Sequence, residues 1–168
     1  CGLLDRDAQC ISVRVKAGAQ AISVEKARED VVDGDVAVCH RSADPGQERR
    51  LDALETARHA YETQMAGFVL KSHHYLTSPL SYVLNRMYPG LTITGAIVLN
   101  PDVGGLNPDA VETAANLETK VIWMPTIGAN YYMQKLGDPR GIKLTDDTGK
   151  LIENVHHILD IISHHDIV

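Results

Sequence analysis

The sequence predicts an α/β fold of repeated βα units, either an open parallel sheet or part of a barrel. Three observations carry this. From about Leu51 onward, segments alternate regularly between helical and strand periods. Each predicted strand then releases polar groups or a tight turn: Leu70 into Lys71-Ser72-His73-His74, Leu99 into Asn100-Pro101-Asp102, and Met124 into Pro125-Thr126. Parallel α/β folds gather such ends on one face. Finally, 168 residues with 44% hydrophobic and 23% charged side chains can form one domain with a real core.

The elements follow in order. Leu51, Leu54, Ala57, Tyr61 and Met65 recur at three- and four-residue steps, predicting a helix that Gly67 ends before a strand from Phe68 to Lys71. Ser78-Pro79 supplies an N-cap and a first-turn proline for a helix carrying Leu80, Val83, Leu84 and Met87, stopped by Pro89-Gly90. A strand from Leu91 to Leu99 is next. Asn107-Pro108 repeats the helix start, with Val111, Ala114 and Ala115 inward, and Lys120 to Met124 reads as a buried strand. Gly128 to Gly141 shows no strong periodicity and reads as a loop over a cleft. Around Asp146-Asp147-Thr148-Gly149, alternation from Ile142 to Leu151 predicts an inserted β-hairpin. The last helix places Ile152, Val155, Leu159 and Ile162 on one face, and Asp166-Ile167-Val168 starts a further strand. Residues 1–33 read as an irregular N-terminal segment, with a strand pattern at Ile11–Val15 and a short helix at Glu25–Val32. Residues 34–168 form the main domain.

Charge and composition exclude some functions. A net charge of −6 argues against nucleic-acid binding, which needs clustered Lys and Arg. No apolar run approaches the roughly 20 residues that span a bilayer, so no membrane role and a cytoplasmic location are expected. Cys1, Cys10 and Cys39 have no metal-finger spacing, and reduced thiols are the default.

The chemistry concentrates at the predicted strand ends. His73 and His74 can present a neutral nitrogen to a divalent metal, which marks a candidate metallohydrolase. Lys71 would polarise a substrate carbonyl or phosphate, or pair with a buried carboxylate. Asn100 and Thr126 are candidate substrate contacts, and Gly104-Gly105 either lets backbone approach a ligand or serves as a flexible turn. His156-His157 and His164-His165 fall on the last helix and its exit, where the helix dipole accounts for the second pair. His59 reads as solvated.

The run from about Arg49 to Thr126, with Gly-Phe-Val-Leu-Lys-Ser-His-His, Gly-Ala-Ile-Val-Leu-Asn, Val-Gly-Gly-Leu-Asn-Pro and Val-Ile-Trp-Met-Pro-Thr, resembles a family of amidohydrolase-like proteins. These are similar to the PHP (polymerase and histidinol phosphatase) metal-dependent hydrolases, which have a distorted (β/α) barrel. The resemblance covers roughly Val36 to Val168. It implies a TIM-barrel-like fold and a site of His40, His73 and Asp44 on zinc, manganese or iron, with Lys71 and His74 as catalytic residues. Asn100, Gly104, Gly105 and Thr126 would bind substrate. Asp44 has a cap for a helix near Pro45 as its alternative.

Two departures shape the expectation. The family's first strand ends in His-x-His with a nearby Asp, whereas Val38-Cys39-His40 has Val38 in the first histidine's place. A complete eight-fold barrel takes about 250 residues, so 168 predicts a partial barrel, a truncated product or a fragment, with an apolar edge that partner subunits, such as a second copy of the chain, would cover or that would leave the chain marginally stable. The expected activity is hydrolysis of an amide, ester or phosphoester by metal-activated water. The alternative is a degenerate or truncated member that has lost its metal and acts as a small-ligand-binding or assembly module. A third class starts from Cys1-Gly2-Leu3-Leu4, which resembles the start of N-terminal-nucleophile amidotransferases.

Overall fold

A computed structural model describes residues 51–165 and 167–168. The N-terminal segment, Val38, Cys39, His40 and Asp44 lie outside the described residues, as does the Cys1 motif. In chain order the elements are α1 (Ala53–Glu62), β1 (Gly67–Leu70), α2 (Ser78–Met87), β2 (Thr92–Val98), a 3-10 turn (Pro101–Val103), α3 (Pro108–Asn116), β3 (Val121–Trp123), α4 (Asn130–Lys135) and α5 (Glu153–His164). The described residues form a mixed α/β fold around a parallel sheet of three strands in the order β1-β2-β3.

Sequential order and register decide which way each side chain faces. Gly67 to Leu70 pair with Thr92 to Gly95, and Val121 to Trp123 pair with Ala96 to Val98. Each neighbour therefore uses a different half of β2, a stagger that runs in one direction across the sheet. Paired residues share a face, so Leu70, Ile93, Ile97 and Ile122 lie on one side and Val69, Thr94, Val98 and Trp123 on the other. The first side carries the helices. Ala57 and Ala60 of α1 and Leu84 of α2 pack with Leu70, Leu91 and Ile93. Val111 and Ala114 of α3 and Val155, Ile158 and Ile162 of α5 pack with Ile97, Leu99 and Ile122. Fully burying each such Leu, Ile or Val contributes about 1.5–3 kcal/mol. Among the described residues, helices α1, α2, α3 and α5 thus share one face of the sheet.

Several local expectations shift. Helix α1 starts at an Asp52–Glu55 capping box, in which each side chain accepts from the other's backbone N–H, and it ends at Thr63 rather than at Gly67. It buries Ala57 and Ala60, while Leu54 and Tyr61 stay exposed. The small residues let the helix approach the sheet, so the seam runs beside the predicted stripe. Gly67 instead opens β1, where a Cβ would lie 2.3 Å from Thr92 O. The N-cap of α2 is Thr77, with Ser78 the first helical residue, and Val83 and Met87 are exposed. The predicted loop from Gly128 to Gly141 contains α4, whose neck closes through Asn130 N to Ile142 O (2.9 Å) and Ile142 N to Gly128 O (2.8 Å). The predicted hairpin contracts to a single antiparallel bridge, Thr145 to Leu151. Asp146 causes this: its carboxylate accepts from Thr148 N, Thr148 Oγ1 and Lys150 N, folding the backbone into a turn. These bonds lower the Asp146 pKa, led by the one from the Thr148 hydroxyl. Val168 runs beside β3, donating to Lys120 O and accepting from Ile122 N, both at 2.9 Å.

Thr77 closes the loop between β1 and α2. Its side chain is fully buried; Oγ1 accepts from Ala96 N at 2.8 Å and lies 2.5 Å from Leu70 O and 3.0 Å from Ala96 O as donor. Thr77→Val keeps the shape but leaves Ala96 N and Leu70 O unsatisfied in the core, for an expected loss of about 2–3 kcal/mol. Urea unfolding should show a lower midpoint at unchanged slope, with Thr77→Ser losing less than half as much. Equal losses for Val and Ser would show that the methyl group, not the hydroxyl, matters.

Candidate functional site

The loops after β1, β2 and β3 meet at the carboxyl end of the sheet, and Asn100 joins them. It is fully buried. Its Nδ2 donates to His73 O (3.0 Å) and Thr126 Oγ1 (3.2 Å), and its Oδ1 accepts from Thr126 N (2.9 Å) and Gly128 N (3.1 Å). Two donors facing Oδ1 and two acceptors facing Nδ2 fix the amide's orientation. Gly128 is required for this approach, since a Cβ would lie 2.4 Å from Pro101 Cδ and 3.2 Å from Asn100 Oδ1. Asn100 therefore ties the β1 loop to the β3 loop, with its own amide committed to protein partners.

Gly104 and Gly105 turn the β2 loop back on itself. Their φ angles are +94° and +68°, and Gly105 N donates to Asn100 O at 2.9 Å. A Cβ on Gly105 would sit 3.3 Å from Ile142 Cδ1. Gly105 is buried, and the pair forms a left-handed turn packed against the segment that leads to α5.

The two histidines are each held by an oxygen at Nδ1. His73 Nδ1 lies 2.9 Å from Thr126 Oγ1, and His74 Nδ1 lies 3.0 Å from Asp102 Oδ1. Both rings are half-buried. The partners differ in kind. Thr126 Oγ1 accepts from Asn100 Nδ2, and its own hydrogen goes either to His73 Nδ1 or to Asn100 Oδ1, 3.5 Å away. The first assignment puts the imidazole proton on Nε2; the second puts it on Nδ1 and makes Nε2 the electron-pair donor. An ionised Asp102 only accepts, so His74 Nδ1 carries a proton. The backbone of the pair is fixed by Ser72, a buried residue whose Oγ accepts from His74 N at 3.2 Å.

Lys71 is 5% exposed, and its Nζ stands 4.1 Å from the centroid of the Trp123 ring. The register explains the meeting: Lys71 continues the parity of Val69, and Trp123 pairs with Val98 on the same face. A cation over an indole face is worth about 0.5–2 kcal/mol depending on desolvation. Among the described residues, the buried Trp123 Nε1 has no hydrogen-bond partner. In the loop after α4, hydrogen bonds from Arg140, led by its side chain, lower the Asp138 carboxyl to about 2.

Of the sequence-predicted site residues, Lys71, His73, His74, Asn100 and Thr126 come together here, with Gly104 and Gly105 shaping the loop beside them. His40 and Asp44 lie outside the described residues. Among the described residues, no three His, Cys, Asp or Glu side chains converge as metal ligands. The α5 histidines stand elsewhere: His157 faces Glu153 at 3.9 Å, His165 faces Glu112 at 3.8 Å, and His164 Nδ1 lies 2.6 Å from Asp160 O. A groove of about 640 Å³ lies between α2, α3 and the start of β2, lined by Tyr82, Asn85, Gly95 and Leu117. It is on the helix side near the amino end of β2, away from the histidines. Among the described residues, no helix is long and apolar enough to cross a membrane.

Comparison with known proteins adds one match. Residues 36–168 match the model of a family of unknown function, DUF6282. The chain belongs to DUF6282. No curated protein and no solved structure matches it. The DUF6282 match spans the strand-end loops and excludes the first 35 residues.

Sequence reasoning missed Asp102 and Trp123 as members of this DUF6282 site. Asp102 was visible only as the end of Asn100-Pro101-Asp102; the 3-10 turn at Pro101 brings it under His74. Trp123 was visible only as part of the predicted buried strand from Lys120 to Met124. The signal that could have found it is register: Lys71, just past the end of β1, and Trp123, the last residue of β3, lie on one face of the sheet on either side of β2.

Proposed function

We propose that this DUF6282 chain is a metal-dependent hydrolase of the amidohydrolase/PHP type, built on part of a (β/α) barrel, with its chemistry at the carboxyl ends of β1–β3. The observation that carries the reading is the His73-His74 pair, each Nδ1 held by an oxygen at 2.9–3.0 Å, beside a buried lysine at one strand end. The barrel reading draws on the sequential parallel order, on helices that share one face among the described residues, and on the one-way stagger, which is the shear that closure requires.

The donor chemistry fits a divalent ion. A ligating histidine ordinarily gives its other ring N–H to an oxygen, and Thr126 Oγ1 stands where that partner belongs for His73. His73 would hold the ion with His40 and Asp44. Such an ion, when bound, lowers the pKa of water toward neutrality and polarises a carbonyl or phosphoryl oxygen. Asn100 and Thr126 fix the loops that carry the donors, and Lys71 places positive charge beside them. The substrate is a small molecule with an amide, ester or phosphoester bond.

Elemental analysis of the full chain tests this, with His73→Ala beside the wild type. The expected result is near-stoichiometric zinc, manganese or iron in the wild type, at least tenfold weaker retention in the variant, and hydrolysis of a member of an amide, ester and phosphoester panel. Metal-free protein after incubation with each ion, inactive on the panel, would overturn the reading. Val38 favours a second reading in that event, a module that binds a small ligand without turnover. Thermal stabilisation by ligand without metal is its mark.

A further inference from the structure

We propose that Asp102 is a positioning residue that locks His74 in the Nδ1–H tautomer, making His74 Nε2 the acceptor nitrogen of the site. Its place in catalysis rests on the hydrolase reading; the tautomer does not. The argument begins with the difference between the two rings. Thr126 offers His73 a hydroxyl that can donate or accept, and Asn100 already shares that hydroxyl. Asp102 offers His74 a carboxylate, which in its ionised form has no hydrogen to give. Only the second partner dictates where the imidazole proton sits.

Geometry makes the lock effective. Asp102 lies in the 3-10 turn whose N-cap is Asn100, and Val103 N and Gly105 N both donate to Asn100 O. Asn100 is in turn fixed by four side-chain hydrogen bonds to the other two loops. On the other side, Ser72 Oγ holds the backbone of His74. Both ends of the Asp102–His74 contact are therefore anchored to the sheet, although their side chains are 43% and 21% exposed. An exposed pair on free side chains would contribute little; here the loops set the separation before the contact forms.

The consequence for function is a division of labour. His73, held by a neutral hydroxyl, is suited to donate an electron pair to a cation. His74, with Nδ1–H committed to Asp102, presents Nε2 as a hydrogen-bond acceptor that can align water or a substrate N–H or O–H with the scissile bond.

The test uses full-length protein labelled with nitrogen-15 and long-range proton–nitrogen correlations, which report the protonation of each ring nitrogen directly. His74 signals are assigned by their loss in His74→Gln. The expected wild-type pattern has Nδ1 protonated and Nε2 unprotonated. Asp102→Ala should shift His74 toward the Nε2–H form, whereas Asp147→Ala, which removes a 97% exposed carboxylate, should not. A wild-type Nε2–H tautomer, or an unchanged pattern in Asp102→Ala, would overturn the proposal. The expected pattern supports it even where no substrate is turned over, which separates it from failure of the hydrolase reading. With a substrate identified, Asp102→Ala should lower kcat by about tenfold or more at nearly unchanged KM; an unchanged kcat would overturn the catalytic role.

Discussion

Asn100→Ala should destabilise the folded chain by about 3–5 kcal/mol, among the larger losses a single substitution produces. The truncation removes one donor group and one acceptor atom at once. His73 O, Thr126 N and Gly128 N all lose a partner, and Gly128 is buried. Each buried orphan costs about 1–3 kcal/mol, and water entering the vacated space recovers part of the sum. For a chain of this length each kcal/mol moves Tm by about 2–4 °C, so a fall of roughly 6–20 °C is expected in a thermal melt. Asn100→Asp separates packing from hydrogen bonding. It preserves the acceptor for Thr126 N and Gly128 N but turns a carboxylate oxygen toward His73 O, so it should also destabilise despite its matched volume. A melt of Asn100→Asp indistinguishable from wild type would show that the donor half of the amide contributes nothing.

The same residue explains why a candidate substrate contact and a structural tie look alike in a sequence. An asparagine after an apolar strand is polar, sits at the right end of the sheet and precedes a proline, all of which suit a binding role. What the pattern cannot state is how many of its four hydrogen-bonding capacities other loops consume, because Thr126 and Gly128 lie 26 and 28 residues away. Local devices were legible: Asn107 caps α3, its side chain accepting from Asp109 N at 3.0 Å, and Val111, Ala114 and Ala115 face inward as their spacing predicts. The βα rhythm was legible too, since each strand of the sheet falls inside its predicted segment apart from Gly67. Fine phase was not. Leu54, Tyr61, Val83 and Met87 follow helical spacing yet remain exposed, because α1 and α2 present Ala57, Ala60, Ser78 and Ser81 inward. Hydrophobic periodicity marks bulky residues, whereas close helix-on-sheet packing selects small ones, and the two stripes lie side by side. The site divides the same way: His73 and His74 were visible as strand-end residues, and their partners Thr126 and Asp102 depended on loop geometry.

Gly95→Ala tests that close packing most directly and should cost about 3 kcal/mol. A Cβ at Gly95 would lie 2.4 Å from both Ser78 Cα and Ser78 Oγ, and 2.8 Å from Ser78 Cβ. Because the α-carbon of Ser78 belongs to the backbone, no side-chain rotation relieves the clash; the first turn of α2 must move off β2. That displacement would strain the buried Ser78–Thr119 hydroxyl pair, now at 2.6 Å, and pull on Thr77, the neighbouring residue that closes the histidine loop on Ala96 and Leu70. The loss therefore reaches the site through the chain. A double variant discriminates the cause. If the clash is with backbone, adding Ser78→Gly to Gly95→Ala removes Oγ and Cβ yet leaves the 2.4 Å approach to the α-carbon, and denaturant unfolding should show no recovery. Recovery to wild-type stability would place the conflict in the serine side chain alone and would mean that α2 rests on β2 less tightly than the spacing at Gly95 requires.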